Sequence, residues 1–177
     1  FQLNYFLLCL SSSFQKIPVS LGIALVTLLI GLLVGTPIAL TRVFRVRILN
    51  PVFTCIVAMV KAVPVNLIIL MTSLWYNANF NAVAQALGLN ITVADISKIY
   101  VAIAALSIAA IALISESVRG ALMSVGKGQY EAGYSVGMTK FQTFTRIIMP
   151  QAFLVLIPAL IGNINSLIKL SSLVILV

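Results

Sequence analysis

Residues 17–41 run from Ile17, just past Lys16, to Thr41, just before Arg42, without a charged side chain. A helix needs about 20 apolar residues to cross the roughly 30 Å hydrocarbon core of a bilayer, and in lipid its backbone polar groups must be satisfied within the segment. A soluble domain could not hold such runs and still cover itself with polar residues. Of the 177 residues, 62% are hydrophobic and 8% charged, against about 45–50% and about 25% in ordinary soluble domains. The first run also exceeds the apolar region of about 7–15 residues in a secretory leader. Two further runs have spanning length: Pro51–Tyr76, interrupted only by Lys61, and Ile99–Ser115, which continues into Glu116–Gly120. A fourth, 147–168, is broken by Pro150, Pro158 and the pair Asn163 and Asn165. The pattern predicts an all-α, polytopic transmembrane helix bundle forming one domain over 1–177. Its spans fall at 17–41, 51–76, 99–120 and 147–168, with a polar connection at 121–146. The chain opens at Phe1 and stops at Val177 inside an apolar run, so a further span is expected past that end.

The formal net charge of +8 would point to a polyanion in a soluble chain. In a membrane bundle it records orientation. The connection Arg42–Asn50 carries Arg42, Arg45 and Arg47 without an acid, 116–146 carries a net +2, and 77–98 has only Asp95 against Lys98. By the positive-inside rule the first two are cytoplasmic and the N-terminus lies outside; no nucleic acid is needed to explain the charge. Histidine is absent, the acids Asp95, Glu116 and Glu131 are scattered, and Cys9 and Cys55 form no CxxC. The chain is therefore read as neither catalytic nor metal-binding, and its cysteines as small hydrophobes.

The stretch 125–144 is written in helix punctuation. Residues 128–136 predict a short helix with Glu131 in its first turn, where the helix dipole favours a carboxylate, closed by Gly137 as the residue after the C-cap. Thr139 and Gln142 have the spacing of a capping box that starts the next helix. Tyr130, Tyr134 and Gly137 follow i, i+4, i+7 spacing, which predicts an aromatic ridge able to enter a groove on a partner. In the first span, Gly31-Leu-Leu-Val-Gly35 is a GxxxG whose expected meaning is close helix packing.

Glu131-Ala132-Gly133, three residues, Gly137, nine residues, then Ile147-Ile148-Met149-Pro150 resembles the EAA loop of permease subunits in ATP-binding-cassette importers, E-A-A-x3-G-x9-I-x-L-P. Glu116-Ser117-Val118-Arg119-Gly120, Lys127-Gly128-Gln129, Pro150-Gln151-Ala152, Gly162-Asn163 and Ser166-Leu167-Ile168-Lys169 are similar to the branch importing polar amino acids, which includes cystine, glutamine, histidine and arginine systems. The resemblance implies a type I importer permease in a bacterial cell membrane, an extracytoplasmic solute-binding protein and an amino acid substrate. It also implies a path shared with a second permease subunit, homodimeric or heterodimeric, and an ATPase subunit docked on the EAA helix through Glu131, Ala132, Gly133, Gly137, Ile147 and Pro150. ATP and Mg would bind that ATPase. The nearest approach to a P-loop here, Gly120 to Gly128, has five residues between its first glycines where four are needed, and Gly128 where Ser or Thr should bind magnesium. Gly133 and Met149 stand where the family usually has Ala and Leu, Lys61-Ala62-Val63-Pro64 where the branch has R-G-T-P, and Lys169-Leu170-Ser171-Ser172-Leu173 where many members read K-D-T-S-L.

Polar residues inside spans complete the candidate list. Lys61 lies ten residues into its span, about 15 Å deep, and either lines a path or snorkels between subunits. Pro64 frees the carbonyl of Val60 one turn earlier. Glu116 either pairs with Arg119 at i, i+3 or contacts substrate. Asn163, Asn165, Ser166, Lys169 and Ser171 either line the path or pack helices. An ion-coupled secondary amino acid transporter, with Lys61 and Glu116 as coupling groups, is the rival function, though nothing in such a carrier requires the EAA spacing; a membrane scaffold that recruits a cytosolic partner through the elbow is a second.

Overall fold

Helix α4 (Lys98–Ser124) carries alanine or serine at 102, 105, 107, 109, 110, 112, 115 and 121, and all of these are buried. Small side chains let neighbouring backbones approach closely in lipid, where apolar burial between helices supplies little drive. Accordingly α4 forms the centre of the bundle. In the computed structural model, which describes residues 3–172, α1 (Leu3–Val43), α2 (Leu49–Ala62), α3 (Val65–Ala86) and α7 (Met149–Ser171) pack against it. Two short helices, α5 (Lys127–Ser135) and α6 (Lys140–Thr143), connect α4 to α7. Every regular element among the described residues is helical. Leu173 and the apolar stretch to Val177 lie outside the described residues.

Helices α1 and α4 approach closely at the GxxxG. A Cβ built on Gly31 would meet Ile114 Cδ1 at 2.6 Å, and one on Gly35 would meet the Ile111 carbonyl oxygen at 2.8 Å. The motif is thus spent on packing within the chain. Around this seam the core divides into a cluster with Ile23, Ile69, Ala105 and Leu106, a second with Ala24, Ala110 and Leu167, and a third near the basic connections with Ile114, Val118, Leu122 and Ile148. Leu170, at the position where the resembled family often has Asp, packs against the first cluster.

Helix α1 begins at Leu3, well before Ile17. The serines that precede Lys16 do not interrupt it, because Ser11 and Ser12 donate to the carbonyl of Leu8 and Ser13 to that of Cys9. The single helix predicted over 51–76 is broken: α2 and α3 meet at 98°. Proline disfavours α geometry in the residue before it, and Val63 is extended at ψ 127° while Pro64 becomes the N-cap of α3. Pro64 therefore ends one helix and starts another rather than kinking a continuous one. Helix α2, with 14 residues, is about 21 Å long, short of the roughly 30 Å core. Among the described residues three helical stretches are long and apolar enough to cross a membrane, 7–43, 98–124 and 140–171, and the bent pair makes a fourth if counted as one span.

The connection from α3 to α4 is locally closed. Asp95 accepts from the Thr92 amide at 2.7 Å and the Thr92 hydroxyl at 2.8 Å, and Ser97 caps α4 by accepting from Ile99. The two Thr92 bonds hold the exposed Asp95 carboxyl below its ordinary value.

Candidate functional site

The polar connection between α4 and α7 folds into an elbow whose two ends are capped. Gly137 takes φ +80°, its amide reaches the Tyr134 carbonyl, and the Met138 amide reaches the Gly133 carbonyl. That pair of bonds is the Schellman closure of a helix C-terminus. The next helix opens with a reciprocal capping box: the Thr139 amide donates to Gln142 Oε1 at 2.9 Å and the Gln142 amide to Thr139 Oγ1 at 3.2 Å. After α6 the backbone widens into a π-helical turn at Phe144–Ile148, with the Met149 amide bonding back to the Phe144 carbonyl. Pro150 lies just beyond and cannot donate to a carbonyl of the preceding turn.

Two sequence expectations about this elbow are corrected. Glu131 is the fifth residue of α5 rather than in its first turn, because the helix starts at Lys127 behind Gly126; it is exposed, as is Ala132. The Tyr130–Tyr134–Gly137 ridge does not form. Tyr130 turns inward against the core cluster of Val125 and Ile148, while Tyr134 is exposed. Burial, with a smaller push from Tyr134, holds the Tyr130 hydroxyl above the usual tyrosine value. The outer face of the elbow is instead Glu131, Ala132, Tyr134, Val136 and Phe141. Its inner face is Gly133, where an added Cβ would meet Thr143 Cγ2 at 2.6 Å and Ile147 Cδ1 at 3.2 Å.

This contact explains glycine where the resembled pattern has alanine. Thr143 is fully buried and its hydroxyl finds no partner among the described residues, so its β-branched side chain has little room to rotate away. Gly133→Ala is expected to loosen α5 from the elbow at a cost of about 1–2 kcal/mol. The measure is faster amide exchange over 127–143, and Thr143→Ala in the same chain should restore protection. Sequence reasoning assigned no role to Gln129 and Gln151, yet Gln151 Nε2 donates to Gln129 Oε1 at 3.2 Å and to the Ile147 carbonyl at 3.0 Å, tying α5 to α7. Phe44 and Phe144 add an edge-on ring contact at 5.4 Å between the first basic loop and the π turn.

The candidates within the spans are not gathered into one site. Lys61, in the last turn of α2, lines a cavity of about 100 Å³ with Val60, Val63, Val65, Ala109 and Leu113 beside the Pro64 break. Asn163 donates to Ser117 Oγ at 2.8 Å, joining α7 to α4. Ser171 is buried and donates to the Ile168 carbonyl of its own helix. Asn165, Ser166 and Lys169 are exposed.

Glu116 has the partner expected, Arg119, and a second that was missed. Its Oε1 accepts from Arg119, and its Oε2 takes Arg42 Nη1 at 3.1 Å, while Arg42 also reaches Ser115 Oγ and Thr54 Oγ1. The Arg42 side chain is only 7% exposed. With α1, α2 and α4 joined there, Glu116 acts as an interhelix clamp. Arg42 read as loop charge in sequence because nothing local signals a partner 74 residues away.

The family model described as binding-protein-dependent transport system inner membrane component matches residues 27–177. The chain belongs to this family. As a member, it is similar to the nopaline transport system permease protein NocM of Agrobacterium fabrum, 34% identical over 89% of this chain and 64% of that one. It is likewise similar to the L-cystine transport system permease protein TcyB of Bacillus subtilis, 34% identical over 87% of this chain and 60% of that one. The chain thus spans less than two thirds of either relative. In fold it is similar to the crystal structure of an amino acid ABC transporter with histidines, with a TM-score of 0.80, 24% identity, and coverage of 99% of this chain and 76% of that one. The ion-coupled reading finds no support among these relatives.

Proposed function

We propose that the chain is the permease subunit of an ATP-driven importer for polar amino acids. It forms the translocation path with a second permease subunit and receives substrate from an extracytoplasmic solute-binding protein. It performs no covalent chemistry and binds no cofactor itself; ATP and Mg belong to the partner ATPase. The N-terminus faces out, and the Arg42–Asn50 loop and the elbow face the cytoplasm, where basic loops are favoured. The L-cystine relative makes cystine the first substrate to try.

The observation that carries this reading is the elbow. Its closed caps, π turn and Gln129–Gln151 bond make it a rigid projection, and its exposed face presents Glu131 and Ala132 of the EAA spacing. A rigid projection can pass a partner's movement to α4 and α7, whereas a flexible loop would absorb it. Lys61 at the α2–α3 break is the leading candidate for the path, since an intramembrane cation beside a cavity marks a route by default. Glu116, held by two arginines, serves as a clamp near that route.

Full-length protein reconstituted in liposomes with its ATPase and binding protein should hydrolyse ATP faster with substrate present. Glu131→Lys should leave membrane insertion intact and reduce ATPase co-purification at least tenfold. Amino acid uptake that persists without any ATPase would overturn the proposal, and wild-type co-purification of the variant would remove the elbow as the interface.

A further inference from the structure

At the basic end of the bundle, a cavity of about 400 Å³ opens between the end of α1, the start of α2 and the last turns of α4. That is within the range of about 300–1,000 Å³ typical of small-ligand sites. Arg42, Arg45 and Arg119 line it together with Asn50 and Thr54. Among the described residues the one acid touching this set is Glu116, whose two oxygens are divided between Arg42 and Arg119, so it neutralises one guanidinium of three. Arg45 makes no ion pair or hydrogen bond among the described residues, and it stands exposed at φ 51°, a left-handed conformation that non-glycine residues seldom take.

The neighbouring wall has the same polarity. Helix α2 starts there without an acid in its first turn and without a side-chain cap; its Asn50 amide is bonded to the Val46 carbonyl, so its N-terminus adds a positive field to the arginines rather than a set of free donors. Val46, Ile48 and Leu49, which lie in the chain between the lining residues Arg45 and Asn50, are exposed, so the segment that carries the guanidinium wall also presents apolar side chains. Planar guanidinium forks match the paired oxygens of phosphate esters, and apolar side chains on the same segment suit acyl chains leaving a headgroup.

We propose that this cavity is a binding site for a phosphate-bearing anion: the headgroup of an anionic phospholipid, or a free phosphate of the same oxyanion chemistry. It is independent of what the chain transports. The test uses the complete transporter, delipidated in an uncharged detergent and titrated separately with dihexanoyl-phosphatidylglycerol and with inorganic phosphate. The readout is the temperature at which the permease leaves solution.

Arg45→Asn removes the charge while keeping a residue that tolerates the left-handed backbone. It should raise the half-saturating concentration at least about fivefold, the effect of roughly 1 kcal/mol per basic residue. Arg47→Asn removes the same charge from the same loop but does not line the cavity, and it should titrate within about twofold of wild type. Phosphatidylglycerol acting at tenfold lower concentration than phosphate assigns the site to a headgroup; equal potency assigns it to the free anion. The proposal is overturned if Arg45→Asn titrates as wild type, or if Arg47→Asn weakens binding equally, which would mean diffuse attraction. It is also overturned if Arg45→Asn releases a protein subunit while the anion titration is unchanged.

Discussion

Glu116→Gln is expected to lower the stability of the bundle by about 3 kcal/mol. The reason lies with its partner. Arg42 is held at the end of α1 with its side chain 7% exposed, and Glu116 Oε2 at 3.1 Å is the carboxylate that faces it. Taking the carboxylate from this part-buried pair leaves the nearly buried Arg42 charged without its counter-ion, which costs more than the pair itself contributes. Arg119 is different, being 31% exposed and one turn along the same helix, so Arg119→Gln should cost about 0.5 kcal/mol. Reversible unfolding in mixed micelles would measure all three chains. The double variant Arg42→Met with Glu116→Leu should recover most of the loss, because a buried ion pair replaced by apolar side chains of similar volume is often neutral. If Arg119→Gln proved as damaging as Glu116→Gln, the interhelix clamp would not be the stabilising element.

Gly35→Leu should cost a similar amount, about 3 kcal/mol, and Gly35→Ala about 2 kcal/mol. At Gly35 the atoms in the way are main-chain: the Ile111 carbonyl oxygen at 2.8 Å and the Ser115 nitrogen at 3.1 Å from an added Cβ. They cannot yield unless α4 moves as a body. At Gly31 the nearest atom is the tip of Ile114 at 2.6 Å, which can change rotamer, and the Ala110 backbone carbon is farther off at 3.2 Å. Gly31→Ala is therefore expected to cost about 1 kcal/mol. The same unfolding measurement ranks the variants. The losses should not change on dilution with detergent, since the contact lies within one chain; a concentration-dependent loss would make the motif an intermolecular seam instead.

The features legible in sequence are those whose causes are local. Uncharged runs announce helices in lipid because an unsatisfied backbone has no alternative there. The Gly137 closure and the Thr139–Gln142 box were readable because each is completed within a few residues. The i, i+3 pairing of Glu116 with Arg119 was readable for the same reason. Proline at 64 was visible as a disturbance, but a proline is compatible with a kinked helix and with a broken one; what α2 and α3 pack against accompanies the 98° turn that resulted. Tyr130 shows the limit of periodicity in a nine-residue helix. Spacing says which side chains share a face, and only the neighbouring core says which face turns inward.

By itself, then, the sequence determined that lipid is the solvent, that the chain is a helical bundle, and that 125–144 forms a capped elbow with the EAA spacing. Each follows from the chemistry of short segments. The tertiary structure decided the rest: α4 as the centre, Gly31 and Gly35 as an internal seam, Arg42 as the partner of Glu116, and Gly133 against Thr143. Those contacts join residues 10 to 83 positions apart, where no local periodicity reaches and only the packing of one helix on another brings the groups together.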